Sequence, residues 1–90
     1  MEDMDKTRTP AEDDAVTEAA VLRQLLALHP TQLSVEELLR EIATDPEDFA
    51  ERDAIELALR DLAAAGLLHR NGDLLLPSRA ALRFDELLGD

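Results

Sequence analysis

Ninety residues with a formal net charge of −12 and no cysteine describe one small domain, long enough for a core but only a marginal one. The missing thiol excludes disulfides, thiolate metal sites and a cysteine nucleophile. No apolar run nears the roughly 20 residues that span a bilayer, and the opening MEDMDKTRTPAEDD lacks the basic and apolar regions of a signal peptide. A cytoplasmic protein with no membrane partner is the expectation. Residues 1–14 hold six acids against Lys6 and Arg8, and the rest of the chain still holds fifteen acids against seven arginines. A polyanionic duplex repels such a surface unless its cations are segregated.

Residues 1–13 have no apolar period and read as a disordered acidic tail, leaving 14–90 for the folded domain. From about Asp14 to His29 a first helix follows, on which Val21, Leu22, Leu25, Leu26 and Leu28 cover a wider arc than one packed face requires. Deep burial explains that width, and so does a surface shared between two copies. Pro30 ends the helix, because the residue before a proline is pushed out of helical geometry. Ser34 opens a second helix, VEELLREIA, and its spacing to Glu37 is that of a capping box. Leu38, Leu39 and Ile42 face inward, with Val35 on the same stripe.

Asp45-Pro46 is another start signal, a cap followed by proline at the first helical position. Extending the later apolar stripe back to it puts Asp48, Glu51 and Arg52 toward the core and buries charge. The expectation is a short turn over Pro46–Ala50 with Phe49 as a plug, then a third helix from Arg52 or Asp53; one long helix from Pro46 is the alternative. Ile55, Ala58, Leu59 and Leu62 form that helix's inner face. Gly66 is its stop, where positive φ is needed, and Leu67 packs back toward Leu62. Asn71-Gly72 between two apolar runs signals a type I′ hairpin. It sets Arg70 opposite Asp73, His69 opposite Leu74, Leu68 opposite Leu75 and Leu67 opposite Leu76. Pro77-Ser78 then caps a last helix, RAALRFDELL, with Ala81, Leu82, Phe84, Leu87 and Leu88 on its apolar side.

The run AIELALRDLAAAGLLHRNGDLLLPSRAALRF resembles the third helix, wing and following helix of bacterial winged helix-turn-helix domains. The resemblance covers about residues 15–88. Its most specific part is the aliphatic-x-x-x-Leu-x-x-Leu-x-x-x-Gly-Leu pattern from Ile55 to Leu67. It implies a mainly α fold with a small β-hairpin: a three-helix core, an Asn-Gly wing and a C-terminal helix. In DNA-binding members of the family the outer face of the third helix enters the major groove and the wing tip touches phosphates. The matching face here is Asp53, Leu57, Arg60, Asp61 and Ala64, with Glu56 on its border. Base-reading surfaces favour Arg, Lys, Asn, Gln, Ser and Thr, and only Arg60 fits that chemistry. The wing tip, Arg70-Asn71-Gly72-Asp73, has no net charge.

Two functions of different classes follow. The first is a non-enzymatic regulatory module that recognises a protein, or a second copy of itself, through Asp53, Glu56, Leu57, Arg60, Asp61 and Ala64. Leu57 and Ala64 are its apolar strip within a polar ring, and a homodimer would form through helix one or the C-terminal helix. The second is a transcriptional regulator that binds duplex DNA through Arg60, Arg70, Asn71, Arg79 and Arg83. A weaker third is an acidic imitation of nucleic acid that occupies a basic partner. Without such functions, Arg70 pairs with Asp73 across the hairpin and Arg83 with Asp85 or Glu86. No catalytic, cofactor-binding or metal residues and no small-molecule site are expected. His29 and His69 lie on different elements with no neighbouring nucleophile, the carboxylates lack EF-hand spacing, and the three glycines serve a helix stop, a turn and the tail.

Overall fold

A computed structural model describes residues 10–89. The elements run α1 (Pro10–Leu28), β1 (Leu33–Ser34), α2 (Val35–Ile42), α3 (Phe49–Ala64), β2 (Leu68–Asn71), β3 (Leu74–Pro77) and α4 (Arg79–Leu88). The chain is therefore mainly helical, with one small antiparallel sheet in the order β1-β3-β2. No helix among the described residues is long and apolar enough to cross a membrane.

Helix α1 begins at Pro10, four residues ahead of Asp14, so residues 10–13 of the expected tail are helical. Residues 1–9 lie outside the described part. The early start follows from proline's fixed φ, which suits a first helical position, and from Glu12 and Asp13 in a first turn that favours negative charge. Val21 and Leu25 are fully buried, and Leu22, Leu26 and Leu28 are half-buried. α1 packs mainly across α3. The core is one cluster: those two α1 residues, Leu33, Leu38 and Leu39, the α3 stripe Ile55, Ala58, Leu59 and Leu62, and Leu68 and Leu75 from the hairpin.

The capping box of α2 forms as expected. The Glu37 amide donates to Ser34 Oγ at 3.1 Å, and the Ser34 amide donates to Glu37 Oε1 at 2.8 Å. The same Ser34 is a strand residue, opposite Leu74, while Leu33 is opposite Leu75. Sequence reading misses β1 because two residues are too few to show alternation. The strand exists because β3 offers a free edge.

The start of α3 corrects the expectation. Its cap is Asp48, which accepts from the Ala50 amide at 3.0 Å, and the helix runs unbroken from Phe49. There is neither a separate turn of helix over Pro46–Ala50 followed by a break nor one long helix from Pro46. Asp45 instead closes a turn by accepting from the Glu47 amide at 3.0 Å. Phe49 is no plug, being 81% exposed. The charges that argued for a break find partners. Half-buried Glu51 reaches back to the Thr44 and Asp45 amides at 2.7 and 2.9 Å. Half-buried Arg52 donates to the Pro46 carbonyl at 3.0 Å and to Glu36 at 2.9 Å. Partnered charge at a half-buried position costs far less than the unpaired kind.

The two backbone amides at Glu51 hold its carboxyl below its ordinary value of 4.5. A depressed folded-state value means a contribution to stability that is present above pH 4.5 and is lost as pH falls through the depressed value. Glu51→Gln should therefore lower the urea midpoint at pH 7. The gap between parent and variant should narrow toward pH 3. A gap that persists unchanged at acid pH would remove Glu51 from this role.

Helix α3 ends as the glycine implies. Gly66 has φ +81. The Leu67 amide donates to the Leu62 carbonyl at 2.9 Å and the Gly66 amide to that of Ala63 at 3.0 Å, the two bonds of a Schellman stop. Leu67 packs on the core cluster that contains Leu62.

The hairpin register differs from the expectation. Leu68 is opposite Pro77, His69 opposite Leu76, Arg70 opposite Leu75 and Asn71 opposite Leu74. The turn is centred on Gly72-Asp73, with Gly72 at φ +62, the positive φ that both primed hairpin turns need at the first central position. Moving the turn by one residue slides the strands by two. Because side chains alternate with period two, such a slide leaves the same residues facing the core. The hydrophobic pattern fits both registers. Ser78 closes the sheet: its amide donates to the Leu67 carbonyl at 2.9 Å, and its buried hydroxyl accepts from the Ala81 amide at 3.1 Å, capping α4.

Candidate functional site

Asp53, Glu56, Leu57 and Arg60 recur on α3 at spacings that put them on one outward face. The hairpin brings Arg70 against that face, and the five residues line a shallow concavity of about 250 Å³. Leu57 is half-buried at this place, deeper than the exposed leucine the sequence suggests, while the other four are exposed. Glu56 Oε1 accepts from Arg70 Nη1 at 3.4 Å. The expected Arg70–Asp73 pair does not form, because the observed register puts Asp73 in the turn and Leu75 opposite Arg70.

The Glu56–Arg70 pair is shared with a second depression of about 300 Å³, lined also by Ser34, Val35, Glu36, Arg52 and Asp73. The pair is thus a ridge between two hollows. The second hollow is held in shape by the Arg52–Glu36 bridge at 2.9 Å. Arg52 lowers the Glu36 carboxyl value, by hydrogen bond first and charge second, and Glu36 raises that of Arg52 in turn. Both partners are substantially solvated, which keeps the bridge's contribution to stability small. Sequence reasoning missed Glu36 and Arg52 as neighbours of the site. The signal for Arg52 was present as a cation on the wrong side of the apolar stripe; for Glu36 there was none.

The remaining candidates scatter. Asp61 and Ala64 are exposed further along α3 and do not line the concavity. Of the expected nucleic-acid contacts, Arg60 shares the concavity with Arg70. Asn71 is exposed at the hairpin end, opposite Leu74. Arg79 and Arg83 lie on α4 outside both hollows, and Arg83 Nη1 donates to Glu86 at 3.1 Å. Arg70 and Arg83 are thus each engaged by a carboxylate on a different helix, Glu56 on α3 and Glu86 on α4. Among the described residues no group of three or more His, Asp or Glu is placed to hold a metal ion. Compared with models of known families, with curated proteins and with solved structures, the chain finds no match.

Proposed function

We propose that this chain is a non-enzymatic winged-helix regulatory module that recognises another protein through the acidic, leucine-bearing face of α3. The observation that carries the reading is the concavity itself: half-buried Leu57 between Asp53, Glu56 and Arg60, with Arg70 already engaged by Glu56. An apolar floor inside a polar rim of both signs suits a protein side chain. The order of helix, short strand, two helices and a hairpin that returns beside the strand supports the winged-helix reading.

A duplex-binding role for Arg60, Arg70, Asn71, Arg79 and Arg83 draws less support. Phosphate contacts by Arg70 and Arg83 require each guanidinium to leave a carboxylate, and Asp53 and Glu56 flank Arg60 where phosphates would approach. The experiment is fluorescence polarisation of a labelled random duplex titrated with the protein at about 50 mM salt, where non-specific binders show themselves. A flat trace is the expected result. A rising signal that collapses with salt would replace protein recognition with DNA binding. In the parallel arm, Leu57→Asp should abolish capture of the protein partner while costing no more than about 2 kcal/mol of stability, which leaves the chain folded; full capture by this variant would remove Leu57 from the interface.

A further inference from the structure

Helix α4 is amphipathic, yet most of its apolar side is uncovered. Ala81 is buried and Leu82 half-buried, but Phe84, Leu87 and Leu88 are 61%, 64% and 69% exposed. Phe84 and Leu88 stand one turn apart and face Leu22 and Leu26 of α1 across a groove of about 250 Å³, with Arg23 and Asp85 among its lining residues. Large apolar side chains gathered this way, rather than scattered singly, mark an interaction surface.

The charge around this face says what fits it. α2 holds three acids against one arginine, and α3 holds four against two. Of the residues that line the groove, only Arg23 and Asp85 are charged. On a chain of net charge −12 the lining of this groove carries no net charge, and like-charged copies can approach through it. It also carries one charge of each sign at the groove, which makes it its own electrostatic complement under a two-fold rotation. A basic partner would gain more on α2 or α3.

We propose that two copies of this chain associate through the α1–α4 face, with Arg23 of each copy set against Asp85 of the other and Phe84 and Leu88 packed across the axis. Two helix stretches of about 15 Å, lying about 10 Å apart, form a face smaller than the roughly 800 Å² per partner of a standard specific interface. The association is therefore a reversible one, with a dissociation constant on the order of tens of micromolar. The face shares no residue with the α3 concavity, so its occupation leaves that site open.

Sedimentation velocity of the full chain from about 5 to 500 µM tests this. The weight-average mass should climb from 9.9 kDa toward twice that value. Phe84→Glu alters an exposed side chain, so the fold survives, and it should weaken association at least about 30-fold. Arg23→Asp and Asp85→Arg should each weaken it several-fold, and mixing the two variants should restore it, because the mixed pair regains both contacts. Rescue in the mixture distinguishes pairing between copies from any contact within one. A chain that remains at 9.9 kDa throughout, dimers as tight after Phe84→Glu, or a mixture no tighter than either variant alone would each overturn the proposal.

Discussion

Leu59→Ala should cost about 3–4 kcal/mol, a large share of the roughly 5–10 kcal/mol that holds a chain of this size folded. Leu59 is 0% exposed. It lies in the α3 stripe that packs across α1. Truncation removes its transfer energy and leaves a cavity that close-packed aliphatic neighbours fill only in part. The expected fall in melting temperature is about 15–25 °C. Leu57→Ala, two residues earlier on the same helix, is the control. Its side chain is half-buried, and its loss should stay near 1 kcal/mol. Urea melts followed by far-ultraviolet circular dichroism give both numbers. Equal losses would mean that the inward face of α3 is wrongly assigned.

Gly66→Val should destabilise by about 2–3 kcal/mol, through the backbone alone. At φ +81 an added Cβ meets nothing within 4 Å, so no clash with the rest of the fold contributes. What remains is the 1–2 kcal/mol that a Cβ costs in left-handed geometry, raised by branching at that carbon. To escape, the chain would have to give up the Leu67–Leu62 and Gly66–Ala63 bonds and withdraw Leu67 from the core. A graded series therefore follows: Gly66→Asn mild, because asparagine tolerates this conformation, Gly66→Ala about 1 kcal/mol, and Gly66→Val the worst. A valine variant as stable as the parent would show that the stop does not depend on glycine.

Signals carried by neighbours in sequence were the legible ones. The Ser34–Glu37 box, the Ser78 cap, the Gly66 stop and the Ile55–Leu62 stripe each need only a few adjacent residues, and each is present. The failures needed distant partners. The start of α3 turned on whether Glu51 and Arg52 could be satisfied, and their partners are loop amides, a carbonyl and Glu36 on another helix. The hairpin register turned on two solutions with the same buried face. For the candidate site, Asp53, Glu56, Leu57 and Arg60 were legible as one helix face. That Arg70 would lean on Glu56 rather than Asp73 followed from the register and could not precede it.

The core is wholly aliphatic, and the chain's two phenylalanines, Phe49 and Phe84, both lie outside it. With no tryptophan or tyrosine anywhere, the protein barely absorbs at 280 nm and its packed interior is optically silent. Folding is therefore visible through amide signals alone, and ordinary absorbance assays would understate its concentration. The same silence makes the molecule a clean background: one tryptophan introduced at a surface of interest would report on that surface without competition from any other residue.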